Sequence, residues 1–283
     1  MIYLTGDTHR NFDRIESFCV NNSTTKSDLM IILGDAGINY YGGKSDYKLK
    51  QRLSELPITF MCIRGNHEMR PTAKMGYRNN YISTREYVGI FLVQPEFPSL
   101  LFADDGEYYW LYDWNALVIG GAYSVDKEFR AEWHSSWDVA NGHKPWTAEW
   151  DSKSDEWKER HYHLAARGAW WFPDEQLDHY ERQGIMEGLR TRTSGVDDMS
   201  GPNLILSHTV PYRYIPREKF IPGVDQSKVD NTMEYWLNDI QAEVGESTPW
   251  YAGHWHTDKL DGSVRFMYKD IIELPRRSDV CGQ

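Results

Sequence analysis

Cysteine is scarce in this chain. Its three residues, Cys19, Cys62 and Cys281, are odd in number and form no CxxC pair, which argues against a disulfide framework and against a thiolate zinc site. Positive charge is also short, with 31 Lys and Arg against 42 Asp and Glu and a net charge of −11. Duplex nucleic acid demands Lys and Arg clusters opposite its phosphates, so a broad duplex-binding face is not expected. An enzyme whose metal ions supply positive charge locally stays open. No apolar run approaches the roughly 18 residues that span a bilayer. The opening MIYLTGDTH carries neither the basic nor the apolar region of a secretion signal. The expectation is a soluble, cytoplasmic protein with no membrane partner. Internal repeats and low-complexity segments are missing as well.

Hydrophobic residues, in contrast, make up 40% of the 283 positions, enough for a sizeable core. Met1 to Thr5, Leu29 to Leu33 and Ile58 to Ile63 are strand-length apolar runs, each stopped by a glycine-polar pair: Gly6-Asp7, Gly34-Asp35 and Gly65-Asn66. Between them, Asn11 can cap a helix with Phe12, Ile15 and Phe18 on one face, and Lys44 to Leu56 predicts another, ended by Pro57. Alternating strands and helices indicate βαβ units with a parallel sheet. Further on, Leu100 to Phe102, Glu107 to Tyr112 and Ala116 to Ile119 read as short strands of a second, antiparallel or mixed sheet. Asn203 to Ser207, Trp250 to Gly253 and Val264 to Ile272 complete the strand candidates.

Chemistry gathers where these runs stop. Gly6-Asp7-Thr8-His9, Gly34-Asp35, Gly65-Asn66-His67-Glu68, Ser207-His208 and Gly253-His254-Trp255-His256 each follow an apolar run. The carboxyl ends of strands are where open α/β sheets bind ligands. Side chains two apart in extended chain point to the same side, so Asp7 with His9, and His254 with His256, can each grip one metal site as a pair. The donors are oxygen and imidazole without thiolate, a set suited to Mn, Fe, Zn or similar ions rather than calcium. A carboxylate such as Asp35 can bridge two ions about 3.5–4 Å apart. Asn66 can then be a neutral oxygen ligand, with His67 left beside it and Glu68 orienting the turn.

In this order the blocks GDTH, GD, GNHE, SH and GHWH resemble those of the calcineurin-like metallophosphoesterase superfamily, from Asp7 to His256. The resemblance implies an α/β fold: an αββα sandwich of two mixed sheets flanked by helices, with the metal site at the strand ends of a single domain over 1–283. It implies one ion held by Asp7, His9, Asp35 and His256, and another by Asp35, Asn66, His208 and His254. His67 would be the catalytic histidine near the leaving group. The implied activity is hydrolysis of a phosphate monoester or diester by a hydroxide bridging two divalent ions, Mn2+ foremost, with Fe, Zn or Ni as alternatives. The acidic balance favours a small-molecule or single-stranded phosphoester substrate over duplex nucleic acid. The family's protein phosphatases carry GDxxDRG at the second block, whereas this chain reads GDAGINYYGG, with Ile38 and Asn39 in place of Asp and Arg. Arg10 likewise replaces the Gly common after GDxH. These departures weaken a Ser/Thr protein phosphatase reading. A non-catalytic scaffold of the same fold is the rival from another class.

Other features have two readings. Arg10, Arg64 and Arg70 flank the blocks, and one of them, Arg10 or Arg64 above all, could hold substrate phosphate. Equally, Arg64 could be tied to a carboxylate beneath the site. Gly120 to Ser124 ends another apolar run without a readable role. His134, His143, His161, His163 and His179 lie outside the blocks and are expected to be ordinary. The stretch 126–171 holds Trp133, Trp137, Trp146, Trp150, Trp157, Trp170 and Trp171. It is expected as an insertion that packs on the sandwich or caps the metal site.

Overall fold

The computed structural model describes residues 1–127, 172–194 and 201–281. The tryptophan-rich stretch, apart from Asp126 and Lys127, lies outside the described residues. So do His134, His143, His161 and His163.

Two runs of short parallel strands organise the chain. In the N-terminal half-sheet, β1 (Ile2–Thr5), β2 (Leu29–Ile32), β3 (Thr59–Cys62) and β6 (Leu100–Phe102) lie side by side in parallel. Parallel neighbours need crossovers, and α1 (Asp13–Asn22) and α2 (Lys44–Glu55) supply the first two. In the C-terminal half-sheet, β8 (Trp114–Ile119), β9 (Leu204–Ser207), β10 (Trp250–Ala252) and β12 (Val264–Phe266) are parallel in turn. Helices α3 (His179–Thr193) and α4 (Thr232–Val244) pack on its outer face.

Strand alternation sorts the side chains into layers. Leu29 and Ile31 enter a central core with Ala116, Val118, Leu204 and Leu206 of the other half-sheet. Met30 and Ile32 turn the opposite way, onto Ile15, Cys19, Leu49 and Leu53 of α1 and α2. Leu117, Ile119 and Ile205 face Leu189 of α3 and Met233, Leu237 and Ile240 of α4. Helices, sheet, sheet and helices therefore stack as the expected sandwich, each fully buried aliphatic side chain contributing ~1.5–3 kcal/mol. Among the described residues the two half-sheets are joined into one curled, mixed sheet of 13 strands. The joint is β5 (Tyr87–Val93). Its end pairs with β6, its start pairs with β7 (Tyr108–Leu111), and β4 (Arg78–Ser83) lines its other edge.

Some elements differ from the sequence reading. The hairpin of β4 and β5 is absent from it, because Arg78-Asn79-Asn80 opens β4 with no apolar alternation and β4 is mostly exposed. Helix α1 begins at Asp13 with Phe12 at the cap position, while Asn11 Oδ1 accepts from the Asp13 amide just ahead of it. The expected last strand splits into β12 and β13 (Ile272–Glu273), because Asp258 gathers the Tyr268, Lys269 and Asp270 amides into a turn. Strand β13 then runs antiparallel to β1, on the other half-sheet. Among the described residues no helix is long and apolar enough to cross a membrane.

Candidate metal centre

The carboxyl ends of β1, β2, β3, β9 and β10 meet between the half-sheets. There the structure brings together Asp7 and His9, Asp35, Asn66 and His67, His208, and His254 with His256. Backbone conformation does part of the gathering. His9 (φ 43°), Arg10 (69°), Asp35 (47°), His254 (65°) and His256 (46°) all occupy the left-handed region, at a cost of about 1–3 kcal/mol each for residues with a Cβ. Hydrogen bonds between loops hold them there. The His9 amide donates to the Asp35 carbonyl (2.8 Å), the His254 amide to Asp7 Oδ1 (2.9 Å) and the His67 amide to Asp35 Oδ1 (2.7 Å).

The glycines of the second and third blocks are required by close approach as well as by turning. A Cβ on Gly34, itself at φ +93°, would lie 1.9 Å from His208 Nδ1, and one on Gly65 would lie 2.0 Å from Asp35 Oδ1. Each glycine makes room for a donor of a neighbouring loop.

Two groups of donor atoms result, Asp7 with His9 and His256, and Asp7 with Asp35 and His208. Asp7 Oδ2 lies 3.1 Å from His256 Nε2 and 3.7 Å from His9 Nε2, and those two nitrogens are 3.0 Å apart. Asp35 uses Oδ1 for the His67 amide. Its Oδ2 faces both groups, 3.9 Å from His9 Nδ1 and 3.6 Å from His208 Nε2. The His254 ring sits 5.0 Å from the His208 ring, and the His67 ring 5.7 Å from that of His9.

The electrostatics demand cations. Asp7 and Asp35 are buried, which opposes ionisation. Neighbouring imidazoles outweigh that cost, His256 for Asp7 and His208 with His67 for Asp35, so Asp7 is held below the usual carboxylate range and Asp35 well below it. His208 Nδ1 donates to the Leu33 carbonyl (2.8 Å), so the neutral ring would present an Nε2 lone pair to Asn66 Oδ1 at 2.8 Å. Two acceptors meet that closely only across a proton or a metal ion. Burial opposes a charge on His208, yet Asp35 and Asp7 outweigh it and raise the pKa to about 9. Metal entering there would displace a proton. His254 goes the other way: burial first and His208 next lower it to about 3, leaving a neutral ring with a lone pair to offer. Two ionised carboxylates, one amide oxygen and four imidazoles without thiolate fit first-row divalent ions.

Flanking residues have their own partners. Glu68 is buried, and its carboxylate accepts from the Gly65 (3.0 Å) and Gly37 (3.1 Å) amides, so that beyond orienting its own turn it ties the second block to the third. Of the two roles open to Arg64, the structure shows the tether. Arg64 pairs with Asp105 (2.9 Å) and donates to the Asp174 and Glu175 carbonyls (3.0 and 2.9 Å). Arg10 is bound to Asp46 and the Gly37 carbonyl, both at 2.6 Å, and lies over the Tyr41 ring. Arg70 pairs with Glu181 and Asp174. Asn39, at the second departure from GDxxDRG, is buried and accepts from the Tyr77 hydroxyl (2.8 Å). Ser124, which the sequence reading left without a role, receives the Asn66 side-chain amide at 2.9 Å and donates to Glu175 at 2.6 Å. Its one signal is position: Gly120 to Ser124 ends β8 as the five blocks end their strands.

A family model described as calcineurin-like phosphoesterase matches residues 1–182. No curated protein matches the chain. The matched range contains Asp7, His9, Asp35, Asn66 and His67, and the fold adds His208, His254 and His256 to them.

Proposed function

We propose, for a chain that belongs to the calcineurin-like phosphoesterase family, hydrolysis of a phosphate ester by water at a pair of divalent metal ions held between the half-sheets. The observation that carries this reading is Asp35 Oδ2, one buried carboxylate oxygen that faces both donor groups. Asp7, His9, Asp35 and His256 would hold one ion, and Asp35, Asn66, His208 and His254 the other. When bound, such ions neutralise phosphate oxygens and lower the pKa of water to about 7. Mn2+ suits this donor set best, with Fe, Zn and Ni as alternatives.

The protein's own groups do the rest. His67 is anchored through its backbone amide to Asp35 Oδ1, beside the exposed His9. From there it hands a proton to the leaving oxygen as the P–O bond breaks. The substrate is a small or single-stranded phosphoester, since the net charge of −11 disfavours a duplex. Against a protein-phosphatase specificity stands Asn39, engaged in the core with Tyr77 rather than offered to substrate.

Metal content measured alongside turnover of p-nitrophenyl phosphate and bis-p-nitrophenyl phosphate tests the proposal. Two ions per chain with turnover that a chelator abolishes is the expected result, and the preferred ester separates monoesterase from diesterase. Two bound ions with neither ester cleaved would favour the scaffold. Fewer than two ions at saturation would overturn the two-ion reading.

A further inference from the structure

We propose that Glu175 and Ser124 form a polar relay that fixes which way round the Asn66 amide sits, making its oxygen available as a ligand. This inference rests on the two-ion reading above.

An asparagine side chain is ambiguous by shape. Its oxygen and its NH2 group are nearly the same size, so packing alone does not choose between them. Facing His208, the oxygen can hold a cation and the NH2 group would repel one. Hydrogen bonding has to make the choice. Asn66 Nδ2 lies 2.9 Å from Ser124 Oγ. The hydroxyl has a single proton, and it goes to Glu175 Oε2 at 2.6 Å. Both Glu175 oxygens accept from Ser124, Oε1 from its amide and Oε2 from its hydroxyl, so the Ser124 oxygen is left with lone pairs for Asn66 and takes the NH2 end. The amide oxygen is thereby turned to His208, 2.8 Å away.

Glu175 is itself held in place. Its Oε1 accepts from the Ser124 amide (3.3 Å), and its carbonyl accepts from the Ala122 amide (3.1 Å) and Arg64 Nη1 (2.9 Å). Asn66, Ser124 and Glu175 are 1%, 3% and 2% exposed. At that burial an unmatched donor or acceptor is costly, so the direction of each bond is enforced. The acceptor that orients the ligand thus belongs to a residue outside the donor set. Glu175 and Ser124 are positioning residues, acting through Asn66. The tie of Arg64 to the Glu175 carbonyl gives that arginine a part in the same device.

Reversing the relay tests it. In Glu175→Gln, the Ser124 amide keeps the new side-chain oxygen on its side, so the new NH2 group faces the hydroxyl. Ser124 must then donate to Asn66, whose amide turns its NH2 group to the metal. Isothermal titration of the metal-free protein with Mn2+ reads the consequence. One of the two binding events should lose about 10–100-fold in affinity, the usual effect of a lost outer partner, while the other is unchanged. Asn66→Asp removes the ambiguity, because both ends of a carboxylate accept. Adding Glu175→Gln to Asn66→Asp should therefore cost no affinity relative to Asn66→Asp alone. Ser124→Thr, which keeps the hydroxyl, should bind as the wild type does, and Ser124→Ala should lose part of the same affinity.

Wild-type Mn2+ affinity in Glu175→Gln would overturn the relay. So would an equal loss whether Glu175→Gln is made in the wild type or on top of Asn66→Asp, which is the signature of a packing or charge effect. Should Glu175→Gln fail to fold by circular dichroism, the serine pair decides, and equal Mn2+ binding by Ser124→Ala and Ser124→Thr overturns the relay. Wild-type protein that takes up fewer than two Mn2+ overturns the two-ion reading beneath it. Two ions in the wild type with indifferent variants overturn the relay alone.

Discussion

The two half-sheets bring different chemistry to the same cleft. The N-terminal one contributes every oxygen donor, Asp7, Asp35 and Asn66, together with His9 and His67. The C-terminal one contributes imidazoles alone, His208, His254 and His256. Its loops also reach across: the His254 amide caps Asp7, and the His208 ring is bound to the Leu33 carbonyl at the end of β2. One side is a concentration of buried negative charge and the other a set of neutral or protonated rings. Neither is complete without the other, so metal would act as a cross-link between two layers whose cores are otherwise apolar.

A second parallel sharpens the contrast. Behind each side lies a buried carboxylate whose pKa is raised to about 7, chiefly by burial: Glu68 beneath the oxygen donors and Glu234 of α4 behind the imidazoles. Glu68 gathers backbone amides of two loops. Glu234 accepts from the Thr209 hydroxyl (3.0 Å), which in turn accepts from the Trp255 indole (3.2 Å). The residues next to His208 and His254 are thus joined side chain to side chain, where the N-terminal loops are joined by carboxylates that accept main-chain amides.

The largest effect should come from breaking the shared element. In the proposed centre Asp35→Asn removes the negative charge at Oδ2, so metal stoichiometry should fall and turnover drop by more than the roughly 10–100-fold that loss of an outer partner costs. Metal analysis and kcat on a nitrophenyl ester check this together. Two tightly held ions and a near-normal rate would remove Asp35 from the bridge.

Next in size is His67→Ala, which tests whether the N-terminal side carries the proton as well as the charge. Metal content should stay at the wild-type level while kcat falls by about 10²–10⁴-fold. The loss should shrink on esters with good leaving groups, and an equal loss on good and poor leaving groups would argue against proton donation.

Smallest, and specific to the C-terminal side, is the pH dependence due to Glu234. Its folded pKa of about 7 lies above the unfolded value of 4.5, so between them the native state binds more protons than the unfolded one. The stability it contributes is complete below 4.5 and is lost as pH rises through 7, about 3 kcal/mol in all. Urea unfolding of metal-free Glu234→Gln across that range should show a shallower decline than the wild type by that amount. Identical slopes would mean that the carboxylate is solvated in solution. Glu68 titrates in the same window in both proteins and cancels from the comparison.

Much of this was legible in the sequence because strand ends are marked locally. Apolar runs stopped by Gly-Asp, Gly-Asn or Ser-His identify both the strand and the polar residue that follows it, so the side chains that meet between the half-sheets could be named before any fold was known. What escaped depends on partners distant in sequence. Nothing near Ser124 or Glu175 announces that they meet Asn66, and Arg64 offered a phosphate contact and a buried tether with equal force until Asp105 was seen beside it. The β4 and β5 hairpin escaped for another reason. Its first strand is a polar, exposed edge whose pairing follows from β5, and no periodicity of its own reveals it.

Arg10 shows how two positions can become hostages to each other over evolutionary time. At φ 69° it occupies a conformation that glycine adopts freely, and its bonds to Asp46 and to the Gly37 carbonyl keep it there. Asp46, for its part, is a buried acid whose ionisation burial opposes and Arg10 favours. Replace Asp46 first and the arginine becomes a strained residue whose cation has lost its carboxylate and keeps only the Gly37 carbonyl, Ser45 and the Tyr41 ring. Replace Arg10 first and the aspartate becomes a buried acid without its cation. A lineage could therefore leave this state only by changing both, or by passing through a less stable protein.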